Sequence, residues 1–284
     1  MLVNLHELFK IAKEENIAFG QFNVTNYENI SATLETAKKL GVPAMIAFAQ
    51  THEENDVAYL EEWGPIMVMA AKQADFPVCV HLDHGVDLQY IKRALEMGFT
   101  SVMFDGSTLS LEDNIARTKE VVELAKEYGA TVEGEIGKMA GITMDVDGKT
   151  ENRKSDRSMY TDPQEAKMFV EQSGVDCLAC SFGTVHGEYK AEPNLDFELI
   201  EEIRNAIGVP IVMHGGSGVS EEDFRKCIQR GVRKINYFTY MDKAGGQGIK
   251  DAMGSTDYYH DFVKAGKEAM KKDIEAAMRV FCDK

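Results

Sequence analysis

Proline and cysteine are scarce in this chain, long apolar runs are missing, and basic residues are outnumbered. The six prolines among 284 residues are scattered. No Ser/Gly-rich or Gln/Asn-rich tract divides the chain, which argues against a linker and for one globular domain over residues 1–284. Five cysteines, an odd number in mostly apolar surroundings, do not make a disulfide framework and suit a reducing compartment. Cys177 and Cys180 form a C-x-x-C, but within an expected strand, where positions three apart point to opposite faces. No second such pair completes a zinc site. No window approaches about 20 apolar residues, and the N-terminal MLVNLHELFKIAKEEN carries acidic residues at helical spacing in place of a signal peptide. A cytoplasmic protein with no membrane partner is expected. With 31 Lys and Arg against 47 Asp and Glu, the net charge of −16 repels nucleic acid and anionic lipid. An anionic substrate must therefore be held by donors placed locally.

What is present is a regular alternation. Short runs bounded by turn residues occur at AFGQFNV (18–24), VPAMIAFA (42–49), PVCVHLDH (77–84), TSVMFDG (100–106), TVEGEIG (131–137), DCLACSFG (176–183), VPIVMHG (209–215) and KINYFT (234–239). Segments of helical period separate them, several closed by glycine at Gly41, Gly98, Gly129, Gly208 and Gly231, the position where a left-handed residue ends a helix. Eight strand–helix units with largely apolar strands predict an α/β fold, a parallel (β/α)8 TIM barrel. An open doubly wound sheet fits less well, because no GxGxxG follows the first strand. Residues 258–281 form a long amphipathic C-terminal helix, with Phe262, Ala265, Ala269, Ile274 and Met278 among its apolar positions. That helix serves barrel packing or an oligomer contact.

Barrel enzymes carry their chemistry where strands give way to loops on the C-terminal face. The third run ends in Asp83 and His84 of HLDHG (81–85), the sixth leads to His186, the seventh ends at His214, and the eighth contains Asn236 and Thr239. His84, His186 and His214 thus converge on one rim. Three imidazoles with an open position are the ligand set of a catalytic divalent metal, zinc first. His6 and His52 lack such a strand-end position, His81 lies lower on its strand, and His260 belongs to the C-terminal segment. Asp83 either orients the histidine cluster or exchanges a proton with a substrate oxygen. HGGSG (214–218), ahead of a helix starting near Ser220, and the stretch Gly183–Gly187 offer small residues and amide N–H groups to an anion.

In this combination and order the chain resembles the class II, metal-dependent ketose-phosphate aldolases, which cleave fructose and tagatose bisphosphates. The resemblance is carried by FNVTNYENISATLETAKKLGVPAMI, HLDHG, SVMFDGSTLSLEDN, VEGEIGKMAG, TDPQEAKMFVEQSGVDCLACSFGTVHGEY, VPIVMHGGSGV and GVRKINYFT. It implies that His84, His186 and His214 are the metal ligands and Asp83 the acid/base carboxylate. It also implies that Asp105 and Glu135 serve a second, inner metal position. Asn23, Gly187, Gly215, Ser217, Asn236 and Thr239 match substrate positions, Asn236 near the carbon skeleton of dihydroxyacetone phosphate. Carbonyls around Val185, Gly187, Gly215 and Ser217 match a monovalent-cation site for Na+ or K+. Members of the family are usually homodimers or homotetramers. A lysine Schiff base would need an inward lysine, and CLACSFG has none.

The chain departs from the family where the far end of the substrate would lie. Gln50, followed by Thr51 and His52, stands where members that cleave bisphosphates have Ser or Thr, and His260 and Lys264 stand in place of arginines. Arginine grips phosphate bidentately, and neither replacement does so one for one. Phe238 and Tyr240 are further departures, and Asp145 or Asp147 could supply the second proton-transfer carboxylate. The expected substrate is therefore a ketose 1-phosphate, with fructose or tagatose 1,6-bisphosphate as the family default and 6-deoxy-6-sulfofructose 1-phosphate as the alternative. A metal-dependent hydrolase is disfavoured because FGQFNV lacks a His-x-His pair. A non-catalytic sugar-phosphate sensor would give Asp83 and the histidines no purpose.

Overall fold

A computed structural model describes residues 1–137, 159–185, 187 and 193–284. Its strands are β1 (Leu2–Val3), β2 (Phe19–Asn23), β3 (Ala44–Ala49), β4 (Val78–Gly85), β5 (Ser101–Phe104), β6 (Thr131–Ile136), β7 (Cys177–Cys180), β8 (Ile211–Met213) and β9 (Val232–Tyr237). The helices are α1 (Leu5–Glu15), α2 (Tyr27–Leu40), α3 (Gln50–Glu54), α4 (Leu60–Gln73), α5 (Leu88–Met97), α6 (Leu111–Glu127), α7 (Pro163–Ser173), α8 (Phe197–Ile207), α9 (Glu221–Arg230), α10 (Thr239–Ala252) and α11 (Tyr259–Phe281).

Strands β2 to β9 pair in parallel in chain order, and β9 closes back on β2, so the expected eight-stranded barrel is the fold. Strand β1 is an addition. Pairing of β4 with β5 begins only at His81 and Ser101, and Leu2 and Val3 cover the lower edge of β4 at Val78 and Cys79. The eight runs read from sequence all overlap strands: six strands are shorter than their runs, while β4 and β9 equal theirs in length and are displaced by one and two residues. His214 lies just beyond β8, and residues 181–183 lie beyond β7. The five expected helix-ending glycines all have positive φ, from +66° at Gly129 to +122° at Gly231.

Apolar side chains such as Phe19, Phe48, Phe99 and Phe169 fill the layer between strands and helices. The inside of the barrel differs. Gln21, His81, Ser101, Glu133 and Lys234 are each fully buried, so a polar layer stands where side chains of barrel strands are more often aliphatic. Helix α11 lies against α10 and α2, burying Met270, Ile274 and Met278, while Lys267 and Lys271 both pair with Glu35 of α2. Barrel packing thus accounts for its apolar face. Among the described residues no helix is long and apolar enough to cross a membrane.

All five cysteines are buried and unpaired. Burial pushes the thiols of Cys79, Cys227 and Cys282 up to about 12 and raises those of Cys177 and Cys180 well above the usual thiol range. Because the thiolate is the reactive form, native protein at pH 8 should leave all five unlabelled by an aromatic disulfide reagent that labels the unfolded chain completely. Rapid labelling of even one native thiol would contradict this packing.

Candidate active site

The upper end of the barrel opens into a cavity of about 800 Å³ whose lining includes Asn23, Thr51, His52, Asp83, His84, Asp105, Glu135, Gly187, Gly215, Ser217, Asn236 and Thr239. Each of these lies at the C-terminal end of a strand or in the segment that follows it, Thr51 and His52 in α3 and Thr239 at the first residue of α10. Asp83 and His84 are adjacent in β4, and a regular strand would send them to opposite faces. The register against β5 shifts between Leu82 and Gly85, and His84 adopts a φ of +49°. A bulge with a left-handed non-glycine residue is a local cost of about 1–3 kcal/mol. Here it turns both side chains toward the cavity.

The ring nitrogens of His84 and His214 are assigned by their carboxylate partners. His84 Nδ1 lies 2.8 Å from Asp105 Oδ2, and His214 Nε2 lies 2.7 Å from Glu133 Oε1, so each of these nitrogens carries the proton. The remaining nitrogens, His84 Nε2 and His214 Nδ1, face each other at 3.2 Å. Imidazole nitrogens facing each other at that separation share a proton or flank a cation. Glu135 adds to the demand: its Oε2 is buried, lacks a hydrogen-bond partner among the described residues, and lies 3.9 Å from His214 Nδ1. Potential ligand atoms of Asp83, His84 and His214, and separately of His84, Asp105 and Glu135, lie within 4.8 Å of one another. The donor set fits a divalent metal ion. His186, the third expected imidazole, lies outside the described residues, as do Asp145 and Asp147.

Electrostatics point the same way. Burial opposes charge on His84, but Asp83, the hydrogen bond with Asp105 and Glu135 outweigh it and raise its pKa to about 10. Burial, with Asp105 close by, raises Glu135 to about 8. Both groups hold protons more tightly than usual, as expected of a carboxylate-rich pocket in want of positive charge. Asp83 behaves oppositely: although burial raises its pKa, His84, His214 and Lys234 bring it well below the usual carboxylate range. Its Oδ2 accepts from Asn23 Nδ2 at 2.9 Å and its Oδ1 from Asn236 Nδ2 at 3.1 Å. The carboxylate is thus ionised and fixed in direction.

On the opposite wall, backbone meets backbone. Gly215 has φ +67°, and a Cβ there would stand 2.2 Å from the Val185 carbonyl oxygen, so only glycine lets the loops after β7 and β8 touch. The anion donors expected at the helix near Ser220 are disfavoured, because the first turn of α9 holds Glu221, Glu222 and Asp223 and Ser220 caps it. Helix α10 is the better candidate. It begins at Thr239 with no side-chain cap, and Phe238 and Thr239 line the cavity.

Three expected substrate residues are not brought to the cavity. Gln50 accepts from Val86 N and donates to Glu54 Oε1, so its amide latches α3 to the loop after β4. His260 is 77% exposed and stacks on Tyr258, and Lys264 is exposed one turn further along α11. Neither is among the lining residues. Sequence reasoning in turn passed over His52, which does line the cavity, and the pair Lys234 and Glu133 beneath it. The signal for His52 was its place two residues after Gln50. For the pair it was the alternation in V-E-G-E and R-K-I-N.

Lys234 is an inward lysine, but it does not line the cavity. Its Nζ lies 2.8 Å from Glu133 Oε2 and donates to Asn236 Oδ1 at 2.7 Å. Through these contacts it supports both His214 and Asp83. Replacing Lys234 with Met strands the buried Glu133 carboxylate and should cost about 3–5 kcal/mol in urea unfolding, with weaker metal retention on dialysis. A loss below about 1 kcal/mol with metal affinity unchanged would show that the pair is not needed.

With this geometry in place, comparison with known proteins assigns the family. The family model for class-II fructose-bisphosphate aldolase matches residues 3–284. A fructose-bisphosphate aldolase from Staphylococcus aureus is 35% identical over 99% of this chain and 97% of that protein. A sulfofructosephosphate aldolase from Alkalicoccus urumqiensis is 40% identical over 95% of this chain and 93% of its own. Among solved structures, the YdjI aldolase of Escherichia coli K12 superposes with a TM-score of 0.87 at 31% identity, covering 99% of this chain and 97% of the other. The chain belongs to the class II fructose-bisphosphate aldolase family and is an enzyme of the lyase type.

Proposed function

We propose that this chain is one (β/α)8 aldolase domain that reversibly cleaves a ketose 1-phosphate into dihydroxyacetone phosphate and an aldehyde, with zinc as its metal. The observation that carries the reading is the pair of facing imidazole nitrogens 3.2 Å apart, beside an ionised carboxylate that two amides hold in place. His84, His214 and the expected His186 would hold the ion, with Asp105 and Glu135 offering an inner position. A divalent ion bound there supplies Lewis-acid polarisation of a carbonyl oxygen.

The chain's own residues do the rest. Asp83 takes the proton from the C4 hydroxyl as the C3–C4 bond breaks, and the electron pair left on C3 is delocalised into the ketose carbonyl. In condensation Asp83 returns a proton to the aldehyde oxygen. Asn23 and Asn236 keep its carboxylate aimed, and Asn236 also lies 3.3 Å from His214 Nε2. Gly187, Gly215, Ser217 and the uncapped start of α10 at Thr239 receive the 1-phosphate, with Na+ or K+ on the nearby carbonyls. Lys234, held by Glu133 and Asn236, is not placed for a Schiff base.

The family default for the far end is fructose or tagatose 1,6-bisphosphate. A second reading, 6-deoxy-6-sulfofructose 1-phosphate, is favoured by the 40% identity to a sulfofructosephosphate aldolase and by the lack of lysine and arginine among the described lining residues. Gln50, His260 and Lys264 would then act on the far end only indirectly or from a neighbouring copy in a homodimer or homotetramer. We place the enzyme in cytoplasmic carbohydrate metabolism.

A coupled assay for dihydroxyacetone phosphate release from ketose 1-phosphates differing at C4 and C6 tests this. Wild-type cleavage should stop on chelation and return with zinc, and absence of cleavage across the panel would contradict the assignment. Asp83→Ala should lower kcat about 10²–10⁴-fold while the protein still carries its metal, the size of a lost general acid/base. An unchanged kcat would remove Asp83 from the reaction.

A further inference from the structure

Helix α6 buries two polar side chains, Asn114 and Thr118, among the apolar residues Ile115, Val121 and Val122. Asparagine and threonine are indifferent helix formers, and a buried amide is costly unless its hydrogen bonds are met. Here they are met. Thr118 Oγ1 donates to Asn114 Oδ1 at 3.0 Å, and Asn114 Nδ2 donates to the carbonyl oxygen of Glu135 at 2.8 Å. The chemistry described above uses neither side chain.

That carbonyl lies where two strands part. The ladder between β5 and β6 ends at the pair Phe104 and Gly134. The next residue along β6 is Glu135, and the next after β5 is Asp105, whose N–H donates instead to the Gly85 carbonyl at the end of β4. The Asn114 amide supplies the hydrogen bond that the departing chain no longer gives to β6.

Gly106 closes the contact from the other side. A Cβ there would stand 2.1 Å from Asn114 Oδ1 and 2.5 Å from its Cγ. Its φ is not left-handed, so this glycine is required for space and not for conformation. The turn after Asp105 therefore rests directly on the Asn114 side chain. The same turn aims the Asp105 carboxylate: Ser107 N and Oγ donate to Oδ1 at 3.1 and 2.6 Å, while Oδ2 meets His84 Nδ1. Ligand atoms of His84, Asp105 and Glu135 lie within 4.8 Å of one another.

We propose that Asn114 is a positioning residue of the metal site, tying the turn that carries Asp105 to the strand end that carries Glu135 and so setting the spacing of those two carboxylates about His84. That role rests on the metal-dependent reading above. Asn114 does not line the cavity and acts through the backbone it holds. Helix, turn and carboxylate belong to one contiguous segment, DGSTLSLEDN (105–114).

Zinc affinity of the purified protein, measured by competition with a chromophoric chelator, tests the role without relying on turnover. Asn114→Ala removes the tie, and Gly106→Ala drives a methyl group into it from a different element. Each should weaken zinc binding roughly fivefold or more, the worth of one hydrogen bond. The double variant is decisive. If Gly106 acts through Asn114, the added methyl group enters vacated space and should weaken binding little beyond Asn114→Ala alone. Fully additive losses would show two independent lesions and overturn the proposal. So would variants that are less stable in urea yet bind zinc as the wild type does, because a merely structural role moves stability alone. Failure of the wild-type protein to bind zinc would instead overturn the metal-dependent reading, and the proposal with it.

Discussion

The ion pair between Lys234 and Glu133 lies where water does not reach, and the two halves of the site are tied to it. Removing two charges from water costs several kcal/mol per ion, and mutual attraction offsets this only when the remaining hydrogen-bonding capacity is met. Here it is met functionally: Lys234 also donates to Asn236, whose amide donates to Asp83, and Glu133 accepts from His214. A hydrophobic pair of similar volume would often be as stable. What it could not do is hold an imidazole tautomer on one side and a carboxylate on the other.

Strand β4 supplies the complementary constraint. Its bulge places consecutive residues in the same cavity, so the proposed proton-transfer group and one proposed metal ligand are neighbours along the chain. That fixes their relative position more tightly than two separate strands could, at the cost of a left-handed φ at His84. Asp105, one strand over, then sets the His84 ring through Nδ1. His84 and His214 thus each have a carboxylate behind the ring and their second nitrogens turned toward each other.

Much of this was legible in the sequence. Eight apolar runs with helical spacers gave the barrel, and the strand ends Asp83–His84, His214 and Asn236 gave most of the polar rim, because a parallel barrel brings corresponding ends together whatever the details. The interior was harder to read. In F-Q-F-N, V-H-L-D, V-E-G-E and R-K-I-N the polar alternate positions resemble the solvent side of an ordinary sheet, yet in a closed barrel they face its axis. The wall beyond Asp83 was harder still, since nothing in Q-T-H tells which side chain of a short helix turns inward. Gln50 was the expected contact, but its amide is spent on Val86 and Glu54, and His52 faces the cavity. His260 and Lys264 were placed by position along the last helix, and that helix carries them to its exposed side.

The central claim is that the paired imidazoles and Asp83 form a metal-dependent site that activates the carbon chain of dihydroxyacetone phosphate. Its most direct test is proton NMR of dihydroxyacetone phosphate in heavy water with the holoenzyme and no aldehyde. The account predicts loss of one of the two hydroxymethyl protons at a catalytic rate, arrested by a chelator and restored by zinc. Persistence of both proton signals, or exchange indifferent to the chelator, would contradict it.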